Sequence, residues 1–319
     1  MKPATNIWTH SIVLLMSLAL MNCTQKPVQN GVGTLGDEDE DFVEMSLGAY
    51  EEAAQEFAEG GGGGLQKISP MLKRGGIDCS EHPYTPALGS PDCSSSADGQ
   101  SIVADFGSCT AGFWDQFTLS GQVLLAFDSA ATCNDWISGG DLPQSGSLIR
   151  TSDGVTKLNN FWEYQIKWNS LDHSNYKGES LGGGVMTTFG ANVRNFEIAG
   201  LHRQVIRRDG VSVRGDQSVQ TESDLVVLGS RANGDLVIQS GTILVNHNIL
   251  KVDSKAIYED LAFSKDCDCP VSGKLTKQLS SENFAKEKIY DFNTGLCGKV
   301  TITKADGRQL TKILRRCQP

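Results

Sequence analysis

The clearest pattern of apolar and polar residues lies after residue 64, where short runs rich in Val, Ile and Thr alternate with turn residues. Four Asp-Gly or Asn-Gly pairs separate such runs, and these dipeptides favour β-hairpin turns because both central residues take positive φ. The pairs are Asp153-Gly154, Asp209-Gly210, Asn233-Gly234 and Asp306-Gly307. We see neither a long amphipathic helix nor βαβ spacing there. The pattern predicts an all-β fold, an antiparallel hairpin-rich sandwich or curved sheet.

Two short motifs recur in the same region and indicate a repeated hairpin plan. One runs from Asp105 to Cys109 (DFGSC) and again from Asp291 to Cys297 (DFNTGLC). The other is Ser-Gly followed one residue later by an aliphatic residue, and a glycine beside a strand commonly marks a bulge or a strand start. It begins at Ser120, Ser145, Ser240 and Ser272.

The N-terminus has the pattern of an export signal. Lys2 opens a polar stretch, and the ten residues 12–21 are apolar or small. Ten residues are too few for a membrane span, which needs about 20, but they suit the apolar region of a signal peptide. No A-x-A cleavage site follows, and the run ends Leu20-Met21-Asn22-Cys23.

Leucine three residues before Cys23 resembles the lipobox of bacterial lipoproteins. The resemblance implies a signal peptide over residues 1–22, cleavage before Cys23 and lipids on that cysteine. Thr24 rather than Asp follows it, which in that family implies the outer membrane, with the protein facing the periplasm or the cell surface. The alternative is an ordinary secreted protein in which Cys23 is incidental.

The body of the chain resembles uncharacterised exported β-rich lipoproteins of Gram-negative bacteria. The likeness rests on the two D-F motifs near cysteines and on a strand start similar to C-x-P-x-S-G, from which residues 269–273 (CPVSG) depart in having Pro directly after Cys. It spans about residues 79–319. It implies the fold and an address in the cell envelope, and it brings no known activity.

Charge is strongly segregated along the chain. The formal net charge is -10, and ten of the 38 acids lie in residues 37–59, where no Lys or Arg occurs. Together with a Gly-containing linker, one narrow apolar stripe over 41–58 and the five glycines 60–64, this predicts an acidic stalk over 23–64. Its short helix is either a docking element or a marginal helix on a tether.

The predicted β domain, residues 65–319, is nearly neutral, with 26 bases and 28 acids. We consider a division into two sub-halves at about 79–150 and 151–319. Because the acidity belongs to the stalk and no basic patch stands out, we expect no nucleic-acid partner. The expected partners are the membrane, through the lipid, and a glycan or another envelope protein.

Eight cysteines remain after Cys23, and export implies an oxidising compartment, so up to four disulfides are expected. Proximity in sequence suggests Cys79–Cys93 and Cys109–Cys133, and the last four would pair among themselves. A metal site at residues 266–269 is the less favoured alternative, because no second C-x-x-C or nearby His completes it. We predict no metal and no cofactor. The candidate disulfide cysteines are Cys79, Cys93, Cys109, Cys133, Cys267, Cys269, Cys297 and Cys317.

Catalytic motifs are missing from the sequence. It contains no G-x-S-x-G elbow, no H-E-x-x-H, no P-loop and no G-x-G-x-x-G. His173 follows Asp172 directly and could act as a base or a ligand, but a solvated loop histidine is the favoured interpretation. His247 lies opposite aliphatic residues in its strand pattern, so we expect it to be exposed.

Aromatic residues supply the best candidate surface. Read as a strand, residues 161–168 place Trp162, Tyr164, Ile166 and Trp168 on one face, which could stack on sugar rings or form half of the core. The function predicted is a non-catalytic binding, adhesion or structural role in a lipid-anchored envelope protein. The alternatives are a carbohydrate-binding module using the aromatic row and an envelope hydrolase using Asp172 and His173.

Overall fold

The structure is a computed structural model. It describes residues 84–85, 93–95, 98–111, 117–137, 143–159, 164–207, 209–229, 234–264, 270–281, 284–297 and 299–313. The predicted signal peptide, Cys23 and the stalk lie outside these residues, as do Cys79, Cys267, Cys269, Cys317 and Trp162. All of the described residues belong to one compact unit.

Strands dominate the described residues, which confirms the all-β prediction. They are β1 Tyr84–Thr85, β2 Ser101–Ala111, β3 Phe117–Phe127, β4 Ser147–Asn159, β5 Tyr164–Asn169, β6 His173–Ser174, β7 Ser180–Leu181, β8 Gly184–Gly190, β9 Val193–Arg207, β10 Val213–Leu228, β11 Val237–His247, β12 Val252–Phe263, β13 Pro270–Ser281, β14 Phe284–Asp291, β15 Lys299–Lys304 and β16 Gln309–Ile313. One helix, α1 (Ala130–Ile137), and a 3₁₀ turn (Cys93–Ser95) accompany them.

Fourteen of these strands form a single antiparallel sheet. Its order follows the chain from β1 to β5 and from β9 to β16, so nearly every neighbour in the sheet is also a neighbour in sequence. β5 and β8 both pair with β4 and β9, which places them end to end in one position of the sheet. The chain between them, residues 170–183, leaves the sheet and forms the small β6–β7 hairpin.

Two of the four predicted hairpin turns are confirmed directly. Asp209-Gly210 joins β9 to β10, and Asp306-Gly307 joins β15 to β16. Asn233 lies outside the described residues, but β10 and β11 pair as the hairpin prediction requires. The prediction for Asp153-Gly154 is wrong, because both residues lie inside β4.

A β-bulge explains why Asp153-Gly154 continues a strand. Ser120 of β3 pairs with Thr156 and Gln122 pairs with Asp153, so Gly121 alone faces two residues of β4. The bulge accommodates the positive φ of Gly154, 57°, without reversing the chain.

The repeated D-F motif forms the same local structure twice. Asp105 Oδ1 accepts a hydrogen bond from the backbone N–H of Gly107 at 2.8 Å, and Asp291 Oδ1 accepts one from Asn293 at 2.9 Å. This is the Asx turn that Asp favours where a strand must bend. The intervening residues, Phe106 and Phe292, are buried. The first motif therefore interrupts the regular pairing of β2 with β3 and the second ends β14, while each anchors one aromatic ring in the core.

Buried apolar residues form two clusters. The N-terminal cluster is Cys93, Ile102, Phe106, Val123, Leu125, Phe127, Cys133, Trp136, Ile137, Leu148 and Phe189. The C-terminal cluster comprises twenty residues of β8–β15 and their connections, among them Leu201, Val219, Val245, Tyr258 and Val300. The sheet itself runs through residues 150 and 151 without a break, because both lie within β4.

Helix α1 closes the N-terminal cluster and carries a disulfide. Ser129 caps it, since its hydroxyl accepts from the backbone N–H of Thr132 at 3.1 Å. Cys133 on α1 is bonded to Cys93, so the pairing by proximity, Cys79–Cys93 and Cys109–Cys133, is wrong. Sequence distance is a poor guide to the pairing here because α1 folds back onto the 3₁₀ turn. The side chain of Asn134 on α1 accepts a hydrogen bond from the backbone N–H of Cys93 in that turn. Cys297 is also disulfide-bonded.

Candidate functional site

The 170–183 excursion packs over one face of β9–β12. Asn175 organises it, since its side-chain oxygen accepts from the backbone N–H groups of Lys177 (2.9 Å) and Glu179 (3.1 Å). The excursion returns to the sheet through Gly182, Gly183 and Gly184. The Gly183 N–H donates to the carbonyl of Ser170 at 3.1 Å, which closes its base. The glycine run 182–184 is therefore packed closely against neighbouring backbone.

Strand register separates two faces of this part of the sheet. The row His202, Ser218, Asn246 and Asp253 lies across β9, β10, β11 and β12 on one side, which we call the polar face. Leu201, Val219 and Val245 pair with one another on the opposite side, which we call the core face. The 170–183 excursion covers the polar face.

Residues 175–177 at the tip of the excursion contact the polar face through hydrogen bonds and an ion pair. The Tyr176 N–H donates to Asn248 Oδ1 at 3.0 Å, and the Tyr176 hydroxyl donates to Asp253 at 3.0 Å. Lys177 Nζ lies 2.6 Å from the other carboxylate oxygen of Asp253. Asn175 donates to Asn246 at 3.4 Å. The hairpin is thus held by hydrogen bonds and one ion pair.

Asp253 is the anchor of this contact. Burial acts to raise the pKa of its carboxyl, but hydrogen bonds from Lys177, Asn246 and Tyr176 outweigh burial and hold that pKa below its usual value. The same hydrogen bond to Asp253 raises the pKa of Lys177. Both groups are therefore ionised over the neutral range.

His173 and His202 stack at the base of the excursion. Their ring centroids are 5.0 Å apart and the planes differ by 17°. His202 Nε2 lies 2.9 Å from Asp216 Oδ1, and His173 Nδ1 lies 2.9 Å from the carbonyl oxygen of Leu171. The remaining nitrogen of His173, Nε2, is buried without a hydrogen-bond partner.

Asp216 is ionised and saturated with donors. Burial opposes its charge, but hydrogen bonds from His202, Asn248 and Gln204 outweigh burial and lower its pKa to about 2. The Gln204 contact measures 2.8 Å. A carboxylate held this way orients His202 and fixes the turn after β11, to which Asn248 belongs.

An open groove of about 410 Å³ continues the polar face across β11–β14. Its centre is the register row Leu244, Lys255, Gln278 and Glu287. Asp253 lines its rim, so the groove adjoins the excursion. Gln278 donates to Glu287 at 2.9 Å, and Lys255 pairs with Glu222. The groove presents paired amide and charged groups beside the apolar side chain of Leu244.

A second polar row lies on the core face. Arg203, Gln217 and His247 pair across β9, β10 and β11, and each is no more than 5% exposed. Arg203 Nη1 donates to Gln217 Oε1 at 2.9 Å, and Gln217 Nε2 lies 3.1 Å from His247 Nδ1. Burial lowers the pKa of His247 to about 4, so its ring is neutral at physiological pH.

Two histidine predictions are corrected by this geometry. His173 belongs to β6 and stacks on His202, so it is not a solvated loop residue. His247 is 3% exposed rather than solvent-facing, because its side of β11 is the core face. Asp172, the predicted partner of His173, is exposed, and the carboxylate that contacts the stacked pair is Asp216, through His202.

His202 and Asp216 were missed by sequence reasoning. They lie in LHRQV and GDQSV, where two or three polar residues interrupt an apolar strand pattern. Such an interruption predicts a polar row on one face, but the partner strands are unknown until the register is known. The two-strand register brings His202 and Asp216 together across 14 positions of sequence.

The aromatic row is described only in part. Trp162 lies outside the described residues, and Tyr164 begins β5. Trp168 pairs with Arg203 and packs, partly buried, against the C-terminal cluster. Trp136 is buried against Phe127, with ring centroids 5.7 Å apart.

In the described part of the chain, no three His, Cys, Asp or Glu side chains are placed to hold a metal ion, and residues 266–269 of the alternative metal site lie outside it. Within the same residues, no helix is both long and apolar enough to cross a membrane. Comparison with protein-family models finds no matching family, and comparisons with curated proteins and with solved structures find no match.

Proposed function

We propose that this chain is a lipid-anchored protein of a Gram-negative cell envelope, attached to the outer membrane through Cys23. Residues 1–22 would be the signal peptide, and the acidic stalk 23–64 would hold the β domain away from the membrane. The apolar run of residues 12–21 that ends at Cys23 supports the anchor. An acidic stalk is repelled by an anionic membrane surface, which supports the spacing role.

We infer a non-catalytic binding role for the β domain. The observation that supports this role is the groove over β11–β14. It adjoins the 170–183 excursion, which Tyr176 and Lys177 hold against the sheet through Asp253. Its polar groups are oriented by mutual hydrogen bonds before any ligand arrives, which lowers the entropy lost on binding. A glycan or an envelope protein segment is the expected partner.

Labelling with radioactive palmitate in a Gram-negative host tests the anchor. The wild-type chain should incorporate label and fractionate with the outer membrane, and Cys23→Ala should lose both. A mature protein that retains Cys23 but carries no label contradicts the anchor. Cys297→Ala, which changes a cysteine of the β domain, is the control that should keep the label.

A glycan-array screen of the full chain tests the binding role. Gln278→Leu removes the central amide of the groove and should abolish any specific signal. Thr311→Ala, on the exposed strand β16, is the control and should leave the signal unchanged. Binding that survives Gln278→Leu contradicts the groove as the site. If Trp162→Ala abolishes the signal in a folded protein, the aromatic row is the site instead.

The His202–Asp216 pair favours a second candidate, an envelope hydrolase. A catalytic histidine of this kind needs a nucleophile within hydrogen-bond reach. Among the described residues, no hydroxyl or thiol makes a hydrogen bond to either imidazole of the stacked pair. Ester hydrolysis by the wild-type chain that His202→Ala abolishes would support the hydrolase over the binding role.

A further inference from the structure

Two buried polar groups on the core face have no hydrogen-bond partner, Nε2 of His247 and Oγ of Ser254. His247 is 3% exposed and Ser254 is fully buried. Ser254 pairs with Val245, two residues before His247 on β11, so both side chains project from the same face as diagonal neighbours. Diagonal cross-strand side chains lie within reach of one shared small group.

The hydrogen-bond relay from Arg203 decides which atom of His247 carries the proton. An arginine only donates, so Gln217 Oε1 must accept from Arg203. The Gln217 amide NH₂ therefore faces His247, and Nδ1 of His247 must be the acceptor. The proton of the neutral ring is then on Nε2. The core face thus holds an N–H donor and a hydroxyl, both buried and unsatisfied.

The chemistry of the missing partner follows from these two groups. A cation cannot accept from His247. A water molecule that accepts from His247 and donates to the Ser254 oxygen leaves its second hydrogen and the Ser254 hydrogen without acceptors beside Val245, Val252 and Leu279. An anion would be buried among apolar side chains, where its desolvation would carry a large free-energy cost. An uncharged oxygen with two lone pairs and no hydrogen fits both donors.

We propose that His247 and Ser254 form a binding site for the carbonyl oxygen of an uncharged, largely apolar small molecule, such as a ketone, an ester or a tertiary amide. His247 is the last residue of β11 and precedes the turn 248–251, in which Ile249 is half exposed. The site therefore lies at the end of β11, next to a turn that contains an exposed residue. The inference goes beyond the proposed anchor and groove and depends on neither.

Cyclohexanone and cyclohexane are the matched probes for this site, because they share size and shape and differ in the carbonyl. We expect cyclohexanone to shift the His247 Nε2–H resonance of the ¹⁵N-labelled full chain and to saturate. Cyclohexane should not shift that resonance. Equal responses to both probes, or no response to either with water contacts at Nε2–H, would overturn the proposal.

Ser254→Ala should weaken cyclohexanone binding at least tenfold without lowering the Tm, because the hydroxyl that it removes has no partner. Ser218→Ala is the control, since Ser218 is equally buried but lies on the polar face. It should change the cyclohexanone Kd by less than twofold. A Ser254→Ala protein that is folded and binds cyclohexanone as well as wild type rules out the site.

Discussion

Gly121 of β3 and Gly154 of β4 meet backbone to backbone across the sheet. A Cβ atom added to Gly121 would lie 2.6 Å from the carbonyl oxygen of Gly154, and the φ of Gly121 is +94°. The Ser-Gly motif at Ser272 has the same arrangement, because the φ of Gly273 is also +94° and its added Cβ would meet the backbone of Asp260. Three of the four Ser-Gly copies thus place their glycine opposite a bulge, at Gly121, Gly241 and Gly273.

We expect Gly121→Ala to destabilise the protein by about 3 kcal/mol or more. Positive φ costs an L-residue about 1–2 kcal/mol, and a backbone clash in a packed sheet adds to this. Gly210→Ala is the control, because Gly210 has φ +72° with nothing within 4 Å of the added Cβ. It should cost only about 1 kcal/mol. Urea unfolding of the two variants checks this, and equal losses would contradict the close approach.

His247 makes stability depend on pH between about 6.5 and 4. Its pKa is about 4 in the folded chain and 6.5 when exposed, so the unfolded state binds the proton more readily over that range. The contribution of His247 to the free energy of unfolding is fully present above pH 6.5 and is lost as the pH falls toward 4. The loss from pH 7.5 to pH 5 should be about 2 kcal/mol.

Urea unfolding at both pH values measures this loss, and the folded His247 ring should titrate near pH 4 by NMR. In His247→Gln, the loss of unfolding free energy between pH 7.5 and pH 5 should be smaller than in wild type by about 2 kcal/mol. A ring that titrates near 6.5 in the folded chain would show that His247 is not buried in solution.

Structure that depends on residues within one strand or turn could be predicted from the sequence. Structure that depends on how neighbouring strands pair could not. Asp209-Gly210 specifies its hairpin because the turn needs only local φ values. Asp153-Gly154 has the same local signal, but Gly121 of the neighbouring strand turns it into a bulge. His247 was expected to be exposed because alternation defines two faces without saying which one is buried.

The candidate site depends on pairing over longer distances still. Tyr176 and Asp253 are 77 positions apart, and His202 meets Asp216 only through the register of β9 and β10. No spacing rule in a single sequence joins such residues. The two D-F motifs were visible because each acts through its own backbone, as the Asp105 and Asp291 turns show.

The Cys93–Cys133 disulfide gives a prediction for both connectivity and stability. Peptide mapping without reduction should recover Cys93 linked to Cys133, and a Cys79–Cys93 peptide would contradict the structure. The bond spans 40 residues, so its loss should cost about 4 kcal/mol by the chain-entropy relation. The double variant Cys93→Ala/Cys133→Ala, compared with wild type by urea unfolding, measures that cost.

Asp253 and Lys177 should contribute unequally to the closure of the excursion, although they form one ion pair. Lys177 is 39% exposed on its side chain, so Lys177→Met should cost less than about 1 kcal/mol. Asp253→Ala also leaves the buried amide of Asn246 and the Tyr176 hydroxyl without their acceptor. It should cost about 2 kcal/mol or more.

Hydrogen exchange distinguishes these two effects. The amides of Lys177 and Glu179, which donate to Asn175 within the excursion, should exchange much faster in Asp253→Ala and nearly as in wild type in Lys177→Met. The Tyr176 amide, which donates to Asn248 of the sheet, should follow the same order. If Lys177→Met opens the excursion as fully as Asp253→Ala does, the ion pair and not the buried hydrogen bonds holds it closed.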